Sequence, residues 1–217
     1  MKHRLALCPL LLIAVALLAT ASCGTAPAPT PTEPPPTAAP TEPAPELLIL
    51  TSPAFGSMEM IPAKYSRRAE DLSPPLEWGD PPPGTESFAL LVISDPMPDG
   101  GGNWVQWILY NIPAEARALP ESITPDPDGK LPDGSQHFEN SWGELKYGGP
   151  NPPHVSTYKY YFTLYALDTK LDLDAVEEAL RQAGTLPWIG PGKEVFLRAV
   201  EGHVLAQGEL VGKYKEP

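Results

Sequence analysis

The sequence predicts a mostly β domain with its helices late in the chain. Phe88 to Ile93 and Trp104 to Ile112 are near-continuous apolar runs of strand length. Tyr158 to Leu167 (YKYYFTLYAL) is aromatic and β-favouring throughout. Asp174 to Ala183 has helical periodicity, and Lys193 to Glu201 reads as a second helix; Gly184 and Gly202 stop them.

Taken in order, residues 1–22 read as an export signal. Lys2 and Arg4 form a basic start, Leu5 to Leu18 are almost wholly apolar, and small residues from Ala19 to Ser22 precede Cys23. That run falls short of the roughly 20 residues a membrane span needs. Small residues before a single cysteine resemble a bacterial lipoprotein processing site, with Thr20 where such sites usually carry Leu. Lipidation of Cys23 is therefore expected, leaving the protein exported and lipid-anchored to the outer face of the cell membrane or in the cell envelope. An ordinary secretory signal cut near Ala21 is the alternative. Residues 23–46 continue as a tether. From Gly24 to Glu46 there are nine prolines, five threonines and no large apolar residue, too little buried surface to offset chain entropy. As polyproline at roughly 3.1 Å per residue, the tether reaches about 70 Å at most.

Residues 47–217 suit one domain with one core. Cys8 and Cys23 are the only cysteines and precede it, so it has no disulfide and no thiolate metal site. A formal net charge of −12 argues against nucleic acid and against electrostatic attraction to anionic lipid.

Within the domain, Leu47 to Thr51 is a short strand stopped by Pro53, and Met58 to Ile61 alternates enough for another. Pro74 to Trp78 is a short extended piece, and Pro81 to Gly84 a turn. A second turn, Asp95 to Gly102, separates the two apolar strands. Pro120 to Gly134 is a long surface loop, and Tyr147 to Pro153 (YGGPNPP) a loop of restricted backbone. Asp172 or Asp174 caps the first helix, and His203 to Tyr214 closes the domain as a strand.

Catalytic templates are missing: there is no phosphate-binding loop with its lysine, no HExxH and no Gly-x-Ser-x-Gly elbow. His137, His154 and His203 lie in unlike contexts without partners at metal-ligand spacing, and His203 is expected to be packed and hydrogen-bonded. Neither a cofactor nor a metal is expected. What stands out is Asp95 at a strand end, the Trp-Val-Gln-Trp strand, the Gly-Gly-Pro-Asn-Pro-Pro loop and the aromatic strand at Tyr158.

Several blocks carry a family resemblance: SPAF at 52–55, IPAKY at 61–65, SPPLEW at 73–78 and PPGTESFALLV at 82–92. DPMP at 95–98, WVQW at 104–107, YNIP at 110–113, YGGPNPP at 147–153, YYFTLYALD at 160–168 and GHVLAQGELVGKY at 202–214 follow in order. Over Leu47 to Tyr214 the chain resembles the phosphatidylethanolamine-binding protein family, in particular its bacterial Raf-kinase-inhibitor-like (YbhB/YbcL) branch. The resemblance implies antiparallel strands in two sheets, flanking helices and a small anion-binding pocket. It further implies binding of phosphate-like groups or lipid headgroups, with kinase or protease inhibition in some members, rather than catalysis. Pocket residues carried over by motif are Asp95, Trp104, Gly149, Pro150 and Tyr160, with backbone N–H groups such as those of Gly149 and Asn151 turned toward the anion.

The chain departs from the family pattern within that pocket. Gln106 and Tyr158 stand where the family has histidines, Ser141 stands where the family has Asp between Asn140 and the aromatic Trp142, and Asn151 replaces a common Cys. Alternation puts Gln106 on the face of Trp104 and Ile108, and Tyr158 on that of Tyr160 and Phe162. Both replacements keep a neutral donor but remove a potential positive charge. A site with Asp95, Gln106 and Tyr158 is then expected to prefer a neutral or zwitterionic ligand over a phosphate dianion. The expected function is non-enzymatic binding of a small polar or anionic ligand by a membrane-tethered protein. The alternative is an inhibitor of an extracellular protease or another protein partner, acting through surface loops such as Pro120 to Gly134 over a vestigial pocket.

Overall fold

The computed structural model describes residues 45–97, 102–153, 156–184 and 192–216. The expected signal, Cys23 and all but the last two residues of the tether lie outside them, as do Pro98 and His154.

The apolar runs form the long strands. β1 (Glu46–Leu47) and β2 (Leu50–Thr51) are followed by a 3-10 turn (Ala63–Tyr65) and β3 (Leu76–Trp78). Next come β4 (Ser87–Pro96), β5 (Asn103–Pro113), β6 (Ala118–Leu119), β7 (Gln136–Phe138) and β8 (Tyr158–Leu167). The helices α1 (Leu173–Gln182) and α2 (Gly192–Val200) precede the last strand, β9 (Val204–Tyr214). Six strands form one sheet in the order β1-β9-β8-β4-β5-β7, and β2-β3-β6 form a second. All pairs are antiparallel except β1 with β9. The fold is mostly β, with two sheets and both helices in the C-terminal half, as expected.

Both faces of the large sheet are covered, which is why β4 reads as unbroken apolar sequence. Phe88, Leu90 and Val92 pack toward the small sheet with Leu50, Leu76, Trp78 and Leu119. Ala89 and Leu91 pack toward the helices with Leu173, Val195 and Phe196. Each such large side chain contributes roughly 1.5–3 kcal/mol on burial. Asp172 caps α1 by accepting from the Ala175 N–H at 3.0 Å.

Several expectations need correction. The single strand foreseen over Leu47 to Thr51 is two, because the chain leaves the large sheet after Leu47 and joins the small one at Leu50. Met58 to Ile61 is no strand; Met60 makes only an isolated bridge to Lys213. β6 and β7 are additions that the sequence did not signal. His203 is hydrogen-bonded but not packed: it is exposed, with Nδ1 2.8 Å from Asp168 Oδ1.

One irregularity positions the site. Val92 pairs with Trp107 but Ile93 pairs with Val105, so Gln106 is an extra residue in β5. This bulge puts Gln106 and Trp107 on the same side. Strict alternation therefore fails here. Gln106 shares its face with Trp104, as expected, whereas Ile108 points into the helix-side core with Val105.

Candidate functional site

The start of β5, the start of β8 and the loop at 147–153 converge at one end of the large sheet. They enclose a cavity of about 280 Å³. Trp104 and Gln106 come from β5, Tyr160 from β8, and Asn151 and Pro153 from the loop; Trp142, Met97 and Arg68 complete the lining. The volume lies just below the usual range for small-molecule sites.

The loop is held by the segment after the 3-10 turn. Arg67 N–H donates to the Pro150 carbonyl at 3.1 Å, and the buried Tyr147 hydroxyl donates to the Tyr65 carbonyl at 2.9 Å. Gly149 N–H donates to Asp71 Oδ1 at 2.7 Å. A Cβ on Gly149 would lie 2.0 Å from the Tyr65 carbonyl oxygen, so only glycine lets the two backbones approach this closely. Arg67 reinforces the frame. Its terminal nitrogens donate to Glu144 at 2.8 and 3.0 Å while its guanidinium lies 4.2 Å from the centre of the Trp142 ring. Hydrogen bonding to Arg67 holds the Glu144 carboxyl below the usual carboxylate range.

Gln106 binds the loop to the sheet from the other side. It is almost fully buried, and its Nε2 donates to the carbonyls of Gly148 at 2.7 Å and Gly149 at 2.9 Å. Its backbone carbonyl accepts from Gly148 N–H at 2.9 Å. Both amide hydrogens are thus engaged by the loop. Gln106 fastens the loop and brings no charge to the cavity.

The remaining polar groups are few. Burial pushes the Tyr160 hydroxyl well above its ordinary value, with a backbone hydrogen bond from Asn151 opposing, so it is a neutral phenol at physiological pH. Trp104 packs edge-on against Trp142 with ring centres 5.4 Å apart, and its buried Nε1 has no hydrogen-bond partner among the described residues. Among the described residues Arg68 is the only charged one in the lining, and its Nε donates to Asn151 Oδ1 at 2.8 Å.

Of the residues expected at the site, Trp104, Gln106 and Tyr160 meet in the cavity lining. Asp95 turns elsewhere. Ser94 is the residue that pairs with Tyr160, so Asp95 falls on the opposite face, where its carboxylate accepts from Lys159 N–H and the Tyr161 hydroxyl, both at 2.9 Å. Tyr158 shares the Tyr160 face, as alternation requires, but is buried in the core between the sheets. Gly149 and Pro150 lie buried behind the lining. The Gly149 N–H foreseen as an anion donor already binds Asp71.

Sequence reasoning missed Arg68 and Met97. The Ser66 to Asp71 segment has neither periodicity nor a motif, and only the third dimension brings Arg68 beside Asn151. His137, taken for part of a polar stretch, is buried and stacked 6.1 Å from Trp107, with Nδ1 3.1 Å from the Gly129 carbonyl. Burial lowers its pKa, and its Nε2 has no partner among the described residues.

Residues 51–215 match the family model described as phosphatidylethanolamine-binding protein. A UPF0098 protein of Methanothermobacter thermautotrophicus is 39% identical over 166 residues, 76% of this chain and 97% of that protein. Among solved structures, a phosphatidylethanolamine-binding protein homologue from Chlamydia trachomatis superposes with a TM-score of 0.63 at 31% identity, covering 79% of this chain and 99% of its own. Escherichia coli YbcL, at 24% identity and the same TM-score of 0.63, covers 78% of this chain and 99% of its own and shares the fold. With the model match extending across nearly the whole domain, the chain belongs to the phosphatidylethanolamine-binding protein family.

Proposed function

We propose that this protein is an exported, lipid-anchored, non-enzymatic binding protein that holds a small polar ligand, phosphate-like or of headgroup type, in the cavity between β5, β8 and the 147–153 loop. One observation carries the reading. Trp104 and Gln106 of β5 converge with Tyr160 of β8 and with Arg68, both distant from them in sequence, on a single lined cavity. The two positions where the family has histidines contribute no charge: Gln106 fastens the loop, and Tyr158 packs in the core. Recognition then rests on shape, on neutral donors and on Arg68, which disfavours a phosphate dianion held by charge alone.

Calorimetry with phosphoethanolamine and with inorganic phosphate tests the site. Saturable millimolar binding of phosphoethanolamine, weaker binding of phosphate, and loss of both in Trp104→Ala are expected. Silence toward both ligands would remove the headgroup reading. For the anchor, Cys23→Ala is expected to move the protein from the membrane fraction to the soluble one, and an unchanged distribution would refute lipidation there.

A further inference from the structure

Arg68 is held in an unusual way. Asn151 Oδ1 is bound to its Nε at 2.8 Å, and Glu216 Oε1 lies 3.6 Å from the same nitrogen. Its two terminal nitrogens make no hydrogen bond to the described residues. Those nitrogens form the planar fork that pairs with a carboxylate. The side chain is 60% exposed, which puts this charge at the mouth of the cavity.

Much of the remaining lining is apolar. Trp104, Trp142, Met97 and Pro153 present rings, a thioether and a pyrrolidine, while the polar atoms come from the buried Gln106 and Tyr160, and the amide hydrogens of Gln106 are engaged by the loop. Among the described residues the cavity thus offers one cation beside a largely apolar wall, which suits a monoanion with an apolar body. Among the described lining residues a dianion would find a single guanidinium, already shared with Glu216. At roughly 30 Å³ per water, the cavity has the volume of about nine water molecules, which suits a ligand of about ten non-hydrogen atoms.

Resting on the reading of this cavity as the ligand site, the geometry points to a small apolar or aromatic carboxylate as the ligand class. Its body lies against Trp104 and Trp142, and its carboxylate sits on the free fork of Arg68. Asn151 is a positioning residue: by accepting from Nε it leaves the terminal nitrogens for the ligand.

The test is a tryptophan-fluorescence titration of the full chain with phenylacetate, its neutral isostere phenylacetamide, and phosphoethanolamine. Phenylacetate is expected to give a saturable change. Phenylacetamide and the Arg68→Gln variant are each expected to weaken binding by about 10- to 100-fold, the scale of a charge-assisted pair. Glu216→Gln removes a competing carboxylate and is expected to tighten binding severalfold, a gain that a merely misfolded variant does not give. Equal binding of acid and amide, or an unchanged affinity in Arg68→Gln, would overturn the inference. Binding of phosphoethanolamine without phenylacetate would overturn it while leaving the proposed function in place. Silence toward all three ligands would remove both.

Discussion

Replacing Gln106 with leucine tests whether this residue is structural cement as well as cavity wall. Leucine matches the buried volume but removes both hydrogen bonds to the Gly148 and Gly149 carbonyls. Each buried carbonyl left without a partner costs about 1–3 kcal/mol. The loop's other ties, through Arg67, Tyr147 and Asp71, limit how far it can move to recover them. A net loss of about 3 kcal/mol follows, a sizeable part of the 5–15 kcal/mol that stabilises a typical domain. For a chain of this size it lowers the thermal midpoint by about 6–12 °C. Urea unfolding followed by circular dichroism measures the loss, with thermal melts alongside. Gln106→Glu sharpens the test, because it sets a carboxylate oxygen against the same two carbonyls and is expected to be worse than leucine at pH 7. A Gln106→Leu protein within about 0.5 kcal/mol of wild type, the range of an ordinary surface change, would refute the clamp.

Three further outcomes follow from the same frame. Gly149→Ala forces a Cβ to 2.0 Å from the Tyr65 carbonyl and is expected to cost about 3 kcal/mol, at the top of the overpacking range, by denaturant titration. Glu144→Gln is expected to cost about 1 kcal/mol at pH 7, because Arg67 depresses the carboxyl's folded pKa below its ordinary 4.5. The ion pair's contribution is present above that ordinary value and is lost as pH falls through the depressed one, so the gap from wild type should close in acid; a gap independent of pH would contradict the pairing. His137 has its folded pKa lowered from 6.5 by burial, so wild-type stability should fall as pH drops below about 6.5, and His137→Phe should flatten that slope in pH-dependent melts.

The long strands were legible because β4 and β5 are near-continuous apolar runs, β8 is strongly aromatic and β9 alternates between buried and more exposed residues: all four appear within a few residues of their expected bounds. The two- and three-residue strands were not, since β6 and β7 exist only through their partners and carry no pattern of their own. The candidate site divides in the same way. Trp104, Gln106 and Tyr160 could be named in advance because they sit in recognisable blocks on long strands, and all three line the cavity. Gln106 shares a face with Trp104 but not with Ile108 because of a bulge, and a bulge is a property of the pairing between β4 and β5 rather than of β5 alone. Asp95 was foreseen in the pocket from its place at a strand end and from the family motif around it. The register that pairs Ser94 with Tyr160 sends it to the other face. Arg68 had no local signal, because its importance lies in contacts to Asn151 and Glu216, far away along the chain.

The most direct test of the cavity as a ligand site is a nitrogen–proton NMR titration of the full chain with phosphoethanolamine and then phenylacetate, following the indole and side-chain amide signals. The Trp104 indole N–H, buried without a partner among the described residues, and that of Trp142 should shift saturably, while those of Trp78 and Trp107, buried in the core between the sheets, should stay in place. The Gln106 amide protons should exchange slowly with solvent in the free protein, because both are bound to carbonyls. Shifts confined to residues away from the cavity, or none with either ligand, would contradict the site.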